Sequence, residues 1–252
     1  MNKRYISLLV ATVLLTACGG GSSSSSKHND GEGAIDLSEY FPNKSMTKTF
    51  ISTERYGDNS DKSHYDEIIE VNGNTITTTI DAEVTEKVVF LDKNITMTSF
   101  DEEEGDEVLS IYRHVDLGDT FLSEKIEDTQ NNDLGKITRT VNQVCKIKNK
   151  ETKFEKGDNI YTGDLLKIEC IATGEFVYDI KQTLLDAGVG TDLNGTHAIY
   201  DTSSFYLQKD LGLVASINDD CIVNSKLPMV ITDQANPSKC ITKQYDYEFY
   251  IP

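Results

Sequence analysis

From Phe50 onward, apolar and polar residues alternate with a period of two rather than 3.6, the pattern of strands with one buried face. Tyr65, Glu67, Ile69 and Val71 form one row against Asp66, Ile68 and Glu70. After Asn72-Gly73 a second row follows, Ile76, Thr78 and Ile80 set among threonines. Asn-Gly between two alternating runs is the strongest short hairpin signal a sequence offers. Further strands are predicted at 84–91, 95–100 and 107–114, separated by the turn Asp92-Lys93-Asn94 and an acidic loop at 101–106.

The second half is more regular. Ile137, Val141, Cys145 and Ile147 share a face, with Lys136, Thr138, Thr140, Asn142, Lys146 and Lys148 on the other. In the next run Leu166, Ile168, Cys170 and Ala172 oppose Lys167 and Glu169, and the pattern continues through Phe205, Leu207, Leu211, Leu213, Ala215 and Ile217. The end of the chain reads as a packed strand with Tyr245, Tyr247, Phe249 and Ile251 inward and Gln244, Asp246 and Glu248 outward. One segment breaks the rule. Over 179–187, Ile180 and Leu184 stand at helical spacing before Gly188, a suitable C-terminal cap, and 188–195 is rich in turn formers. Together these elements predict a mainly β fold: one antiparallel, strongly curved sheet or half-barrel with a short helical insertion, forming a single domain over 40–252.

The N-terminus has a different character. Lys3 and Arg4 precede an apolar run from Ile6 to Leu15, too short to span a bilayer, and then Leu15-Thr16-Ala17-Cys18. This ending resembles the lipobox of bacterial lipoproteins. The resemblance implies a signal peptide over 1–17 that is cut before Cys18, whose thiol then carries the lipid anchor. Residues 19–26, three glycines and five serines, cannot build a core and serve as a flexible tether, extended by the polar stretch to residue 39. In the sorting rule of such lipoproteins an Asp after the cysteine retains the protein in the inner membrane; Gly19 stands here, which points to the outer membrane, facing either the periplasm or the surface.

Four further cysteines, Cys145, Cys170, Cys221 and Cys240, fit an exported chain. Cys145 and Cys170 sit on the inward rows of neighbouring strands, and Cys221 and Cys240 flank a Pro-containing loop, so the pairings expected are 145–170 and 221–240. Zinc is a weak rival, because there is no Cys-x-x-Cys and no nearby His. Charge narrows the partners. Loss of Lys3 and Arg4 with the signal peptide takes the formal net charge of −18 to −20, a surface that repels phosphate backbones and excludes nucleic acid as a partner.

Candidate chemistry is sparse. His28 falls in the tether, His64 and His114 in predicted strands and His197 beside the insertion, each read as a surface or edge residue. No Gly-x-Ser-x-Gly, His-Glu-x-x-His or phosphate-binding glycine loop occurs. The acids at 101–104 read as a solvated loop. Asp192, Asn194-Gly195 and Asp201 have a loose likeness to a calcium loop, but Gly190 occupies the first-ligand position and no Glu closes it. No catalytic residue, cofactor or metal is assigned.

Three short stretches carry a second resemblance: Tyr40-Phe41-Pro42, Leu117-Gly118-Asp119-Thr120-Phe121, and the run from Phe205 through Leu211-Gly212-Leu213-Val214. They resemble signatures of uncharacterised exported β-rich bacterial lipoproteins, with Phe121 where Trp is usual and Leu211 where Val is usual. That resemblance implies fold and location and no reaction. The expectation is a non-enzymatic envelope lipoprotein that binds a protein, glycan or amphiphile at the outer membrane. The alternative is an envelope hydrolase using dispersed carboxylates.

Overall fold

The structure is a computed structural model that describes residues 34–56, 59–100, 106–131, 135–188, 194–223 and 240–252. A short strand β1 (Ile35–Asp36) leads into a 3-10 turn (Leu37–Tyr40). Then come β2 (Met46–Tyr56), β3 (Asn59–Asn72), β4 (Thr75–Ile80), β5 (Glu83–Phe90), β6 (Asn94–Ser99), β7 (Glu107–Tyr112) and β8 (His114–Val115). The second half holds β9 (Thr120–Asn131), β10 (Gly135–Lys156), β11 (Asn159–Ile180), helix α1 (Gln182–Asp186), β12 (Gly195–Gln208), β13 (Gly212–Val223) and β14 (Cys240–Ile251). The fold is thus mainly β, as the alternation predicts.

Twelve of these strands form one antiparallel sheet in the order β7-β6-β5-β4-β3-β2-β14-β13-β12-β11-β10-β9. Neighbours in sequence are neighbours in space, and the added β2–β14 ladder bends the sheet into a ring. The edge strands β7 and β9 approach each other without forming a ladder, leaving one seam. Because every pair is antiparallel, β2, β4, β6, β9, β11 and β13 all run toward one end, here called the upper end. Tight two-residue turns occur at both ends, Gly73-Asn74 at the lower and Asp81-Ala82 at the upper. At the β3–β4 hairpin, Gly73 (φ +59°) is the first of two turn residues, the place where a type II′ turn demands glycine.

The lower half of the ring is filled. Ile76, Val88, Ile95, Met97, Leu109 and Ile111 from β4–β7 meet Leu122, Cys145, Ile147, Leu166, Ile168, Cys170, Phe205 and Leu207 from β9–β12. Each large side chain so buried contributes about 1.5–3 kcal/mol. Cys145 and Cys170 are directly opposite in the β10–β11 register and bonded, with sulfurs 2.03 Å apart, as their shared inward row predicts.

A strap closes the lower end. Packed structure reaches back beyond Tyr40, because Ile35 and Leu37 are buried in the same core. The Asp36 carboxylate receives a two-pronged contact from Arg113 at 2.7–3.1 Å, and Leu37 N–H donates to Arg113 O. On the far wall Tyr40 donates to Asp164 at 3.0 Å, Asp210 N–H donates to Glu39 O, and Asn43 N–H donates to Asp210 O. Pro42 lies against Gly212, where a Cβ would come within 2.9 Å of the ring and where φ is +82°. The first and last of the three signature stretches therefore meet, while in the middle one Gly118 N–H donates to Ile147 O of β10 at 2.7 Å.

The β10–β11 hairpin is the longest, 22 residues in each strand. Register shifts at Ile147/Asn149 and Glu151/Lys153 bend its tip, and bulges of this kind increase local twist. Phe154 and Tyr161 at the tip then cover Leu165, Tyr206, Val214, Ala215 and Phe249 on the outer face of β11–β14. Tyr161 donates to Tyr250 O at 2.6 Å. Around Tyr206, Val214, Ala215 and Phe249, β12–β14 are consequently buried on the outer face as well.

Two expectations need correction. The helix predicted over 179–187 begins only at Gln182; Asp179 and Ile180 continue β11, paired to Lys136 and Gly135, because ladder hydrogen bonds outweigh the weak propensity of one helical turn. Two residues of β14 face opposite to the reading: Glu248 points inward in the row Phe205–Ser216–Glu248–Ser52, and Phe249 belongs to the outer cluster under the hairpin tip, while the side chains of Gln244, Tyr245, Asp246 and Tyr247 lie outside the described residues.

Candidate functional site

Above the apolar core, the inward rows of β2, β3, β13 and β14 become polar. Lys48, Phe50 and Ser52 on β2 face Glu67, Tyr65 and Ser63 on β3 across the register. Alternation sets this geometry: the same pleat that turns Ile69 into the core turns Glu67 and Tyr65 into the interior. Phe50 and Tyr65 stack with centroids 5.4 Å apart and bury the aliphatic stem of the neighbouring charged residues.

Lys48 is buried for a definable reason. The Lys48 ammonium donates to two backbone carbonyls at the start of β13, to Leu211 O just before the strand at 3.4 Å and to Leu213 O within it. Its charge also lies 4.8 Å from the Phe50 ring centre and 5.1 Å from that of Tyr250. Burial lowers its pKa to about 8, against the pull of Glu67, while burial raises the Glu67 carboxyl to about 7, against the pull of Lys48. On β5, burial first and the charge of Glu67 second push half-buried Glu86 up to about 8. Burial, with the charges of Glu248 and Glu67, holds the Tyr65 phenol well above its usual range. The interior therefore contains three carboxyl groups, Glu67, Glu86 and Glu248, and the Lys48 ammonium near them.

Farther around the ring, Arg139 reaches Asp201 at 3.5 Å, and Gln143 approaches Cys145 Sγ at 3.7 Å. His197, expected at an edge, is 2% exposed on β12, because its position in the β11–β12 register falls on the inward row. His114 lies 3.7 Å from the Asp36 carboxylate in the strap. The residues of the calcium-like loop have other work: Asn194 Oδ1 accepts from Ile180 N–H at 3.0 Å and Asp201 faces Arg139, while Asp192 lies outside the described residues. Among the described residues no three His, Cys, Asp or Glu side chains converge as metal ligands.

Cys18, its signal peptide and His28 lie outside the described residues. Among the described residues no helix is long and apolar enough to cross a membrane. The backbone of Cys221 is opposite Lys243 and that of Cys240 opposite Val223 on adjacent strands, but the side chains of Cys221 and Cys240 are outside the described set, and so is the expected bond between them.

The sequence rows grouped Tyr65 and Glu67 with Ile69 and Val71 and set Glu248 outward, and Lys48 was not singled out. Lys48 could be found only by knowing that the carbonyls of Leu211 and Leu213, far away in sequence, come to lie beside it. No family model matches this chain, and no curated protein or solved structure matches it either.

Proposed function

We propose that this protein is a non-enzymatic lipoprotein of the outer membrane, anchored through acylated Cys18 and offering the ring of strands as a binding module to a protein or glycan partner of the cell envelope. The observation that carries the reading is the filled core. Ile95, Met97, Ile147, Leu166 and Phe205 are almost wholly buried, so an acyl chain would have to displace packed side chains rather than enter a waiting cavity. A carrier of amphiphiles needs the opposite arrangement, and a partner met at the surface does not. The lipobox resemblance and the tether of glycine and serine supply the anchor and its reach.

The test is fractionation of cells producing the wild type and Cys18→Ala. The wild type should sediment with the outer membrane, and the variant should move to the soluble fraction with an unchanged circular dichroism spectrum. A variant that stays with the membrane rules out the anchor.

The hydrolase alternative draws on one observation: burial raises Glu86 to about 8 and Glu67 to about 7, the direction a general acid needs. A panel of glycoside, ester and peptide substrates should show no turnover by the wild type. Turnover abolished by Glu67→Gln or Glu86→Gln would replace the binding reading.

A further inference from the structure

At the lower end of the ring, the β3–β4 and β5–β6 turns border a shallow, open cavity of about 530 Å³, lined by Asn74, Phe90, Leu91, Asp92, Lys93 and Asn94. Small-molecule sites span about 300–1,000 Å³. Backbone hydrogen bonds fix its walls: Phe90 N–H donates to Asn74 O at 2.9 Å, Leu91 N–H to Asn94 O at 2.8 Å, and Arg113 N–H to Lys93 O at 2.8 Å. Phe41 of the strap packs edge-on against Phe90, with centroids 5.3 Å apart and planes at 76°, and so holds that ring in one orientation.

The lining joins an apolar platform to uncommitted polar groups. Phe90 is half-buried, and Leu91 is 52% exposed, a large aliphatic side chain left in water. Among the described residues, the side chains of Asn74, Lys93 and Asn94 make no hydrogen bond or ion pair, and Asp92 acts on Arg113 only through its charge. Two primary amides offer donors and acceptors together, the carboxylate offers acceptors and the ammonium donors. That set complements a compact ligand whose closely spaced groups both donate and accept around apolar C–H faces, which is the chemistry of a sugar ring. One acid and one cation leave the lining without net charge, while the chain as a whole carries −18, a field that repels phosphorylated or uronic glycans and not neutral ones.

We propose that this cavity binds a neutral oligosaccharide, with Phe90 and Leu91 against the C–H face of a sugar ring and Asn74, Asp92, Lys93 and Asn94 bonded to its hydroxyl or N-acetyl groups. The site rests on the binding reading above, of which it takes the glycan side, and it is independent of the anchor at Cys18. An open cleft between turns admits an internal stretch of a longer glycan as well as its end. Because Phe41 supports Phe90, the docked strap forms part of the site.

The experiment titrates the full-length protein in detergent with chitotriose, cellotriose, maltotriose and the anionic trigalacturonate, followed by calorimetry and saturation-transfer NMR. A neutral trisaccharide should bind, and trigalacturonate should bind more weakly. Asn74→Ala and Asn94→Ala should each weaken binding by about fivefold, as the loss of one hydrogen bond does, and should leave the melting temperature unchanged because neither side chain bonds to the rest of the protein. Leu91→Ala should weaken binding in the same way. Absence of binding to all four sugars overturns the proposal and leaves a protein as the partner in the binding reading. Binding left unchanged by Asn74→Ala, Asn94→Ala and Leu91→Ala also overturns it and places the glycan elsewhere on the ring, with the binding reading intact. Trigalacturonate bound as tightly as the neutral sugars overturns the choice of a neutral ligand.

Discussion

The carboxyl of Glu86 is held near pH 8, by burial first and by the charge of Glu67 second, whereas an unfolded glutamate ionises near 4.5. Between those values the folded chain keeps a proton that the unfolded chain has released. The stability this group contributes is therefore fully present below 4.5 and is lost as pH rises toward 8. Glu67, raised to about 7, acts in the same direction over a narrower window, and Lys48, lowered to about 8, acts in the opposite direction only above that pH. Urea midpoints should fall between about pH 5 and about pH 8, and Glu86→Gln should remove part of the slope, on the order of 1 kcal/mol after allowance for the half-exposed side chain. A Glu86→Gln curve parallel to the wild type would show that the group titrates normally. Such residues differ in how legible they were. Glu67 stood in one alternating row with Ile69 and Val71, and the burial of Ile69 in the core makes that row the inward one. Glu248 was assigned outward because its neighbours Tyr247, Phe249 and Ile251 are the apolar set; with β14 covered on its outer face as well around Phe249, hydrophobicity no longer tells inside from outside.

At the level of elements, the hairpins were readable and their junctions were not. Asn72-Gly73 marks β3–β4, and Asp92-Lys93-Asn94 marks β5–β6, although the strands begin or end a residue away from the pattern. The predicted strand at 107–114 is split, because Arg113 leaves the ladder to donate its N–H to Lys93 O and its guanidinium to Asp36. Nothing local encodes that partner, which lies far away in sequence. Cys145 and Cys170 were readable because each shares an inward row with large aliphatics, and two inward rows on adjacent strands bring sulfurs together. This bond closes a loop of 25 residues within the longest hairpin. The double variant Cys145→Ala/Cys170→Ala should lower unfolding free energy by about 2–3 kcal/mol. Both cysteines are almost fully buried, so dithiothreitol should leave the folded protein unchanged and match the double variant only after unfolding. Equal midpoints for wild type and variant, both without reductant, would mean that the bond contributes nothing.

For the whole molecule, alternation and hairpins specify an antiparallel meander, but a meander has two free edges and the sequence does not say whether they meet. Closure here comes from the β2–β14 ladder, joining the first long strand to the last, and from the hairpin tip that covers their neighbours. Both are long-range pairings and leave no periodic trace. The strap lies between the tether and β2, and it grips the wall twice before β2 begins: just past the end of β7, where Asp36 and Leu37 hold Arg113, and at β11–β13 through Tyr40, Pro42 and Asn43. If the chain is pulled from its anchored end, the load enters at these two walls first. The strap thus serves as a strain relief, like the sleeve on a cable, and shields from tension the ladder whose loss would open the ring.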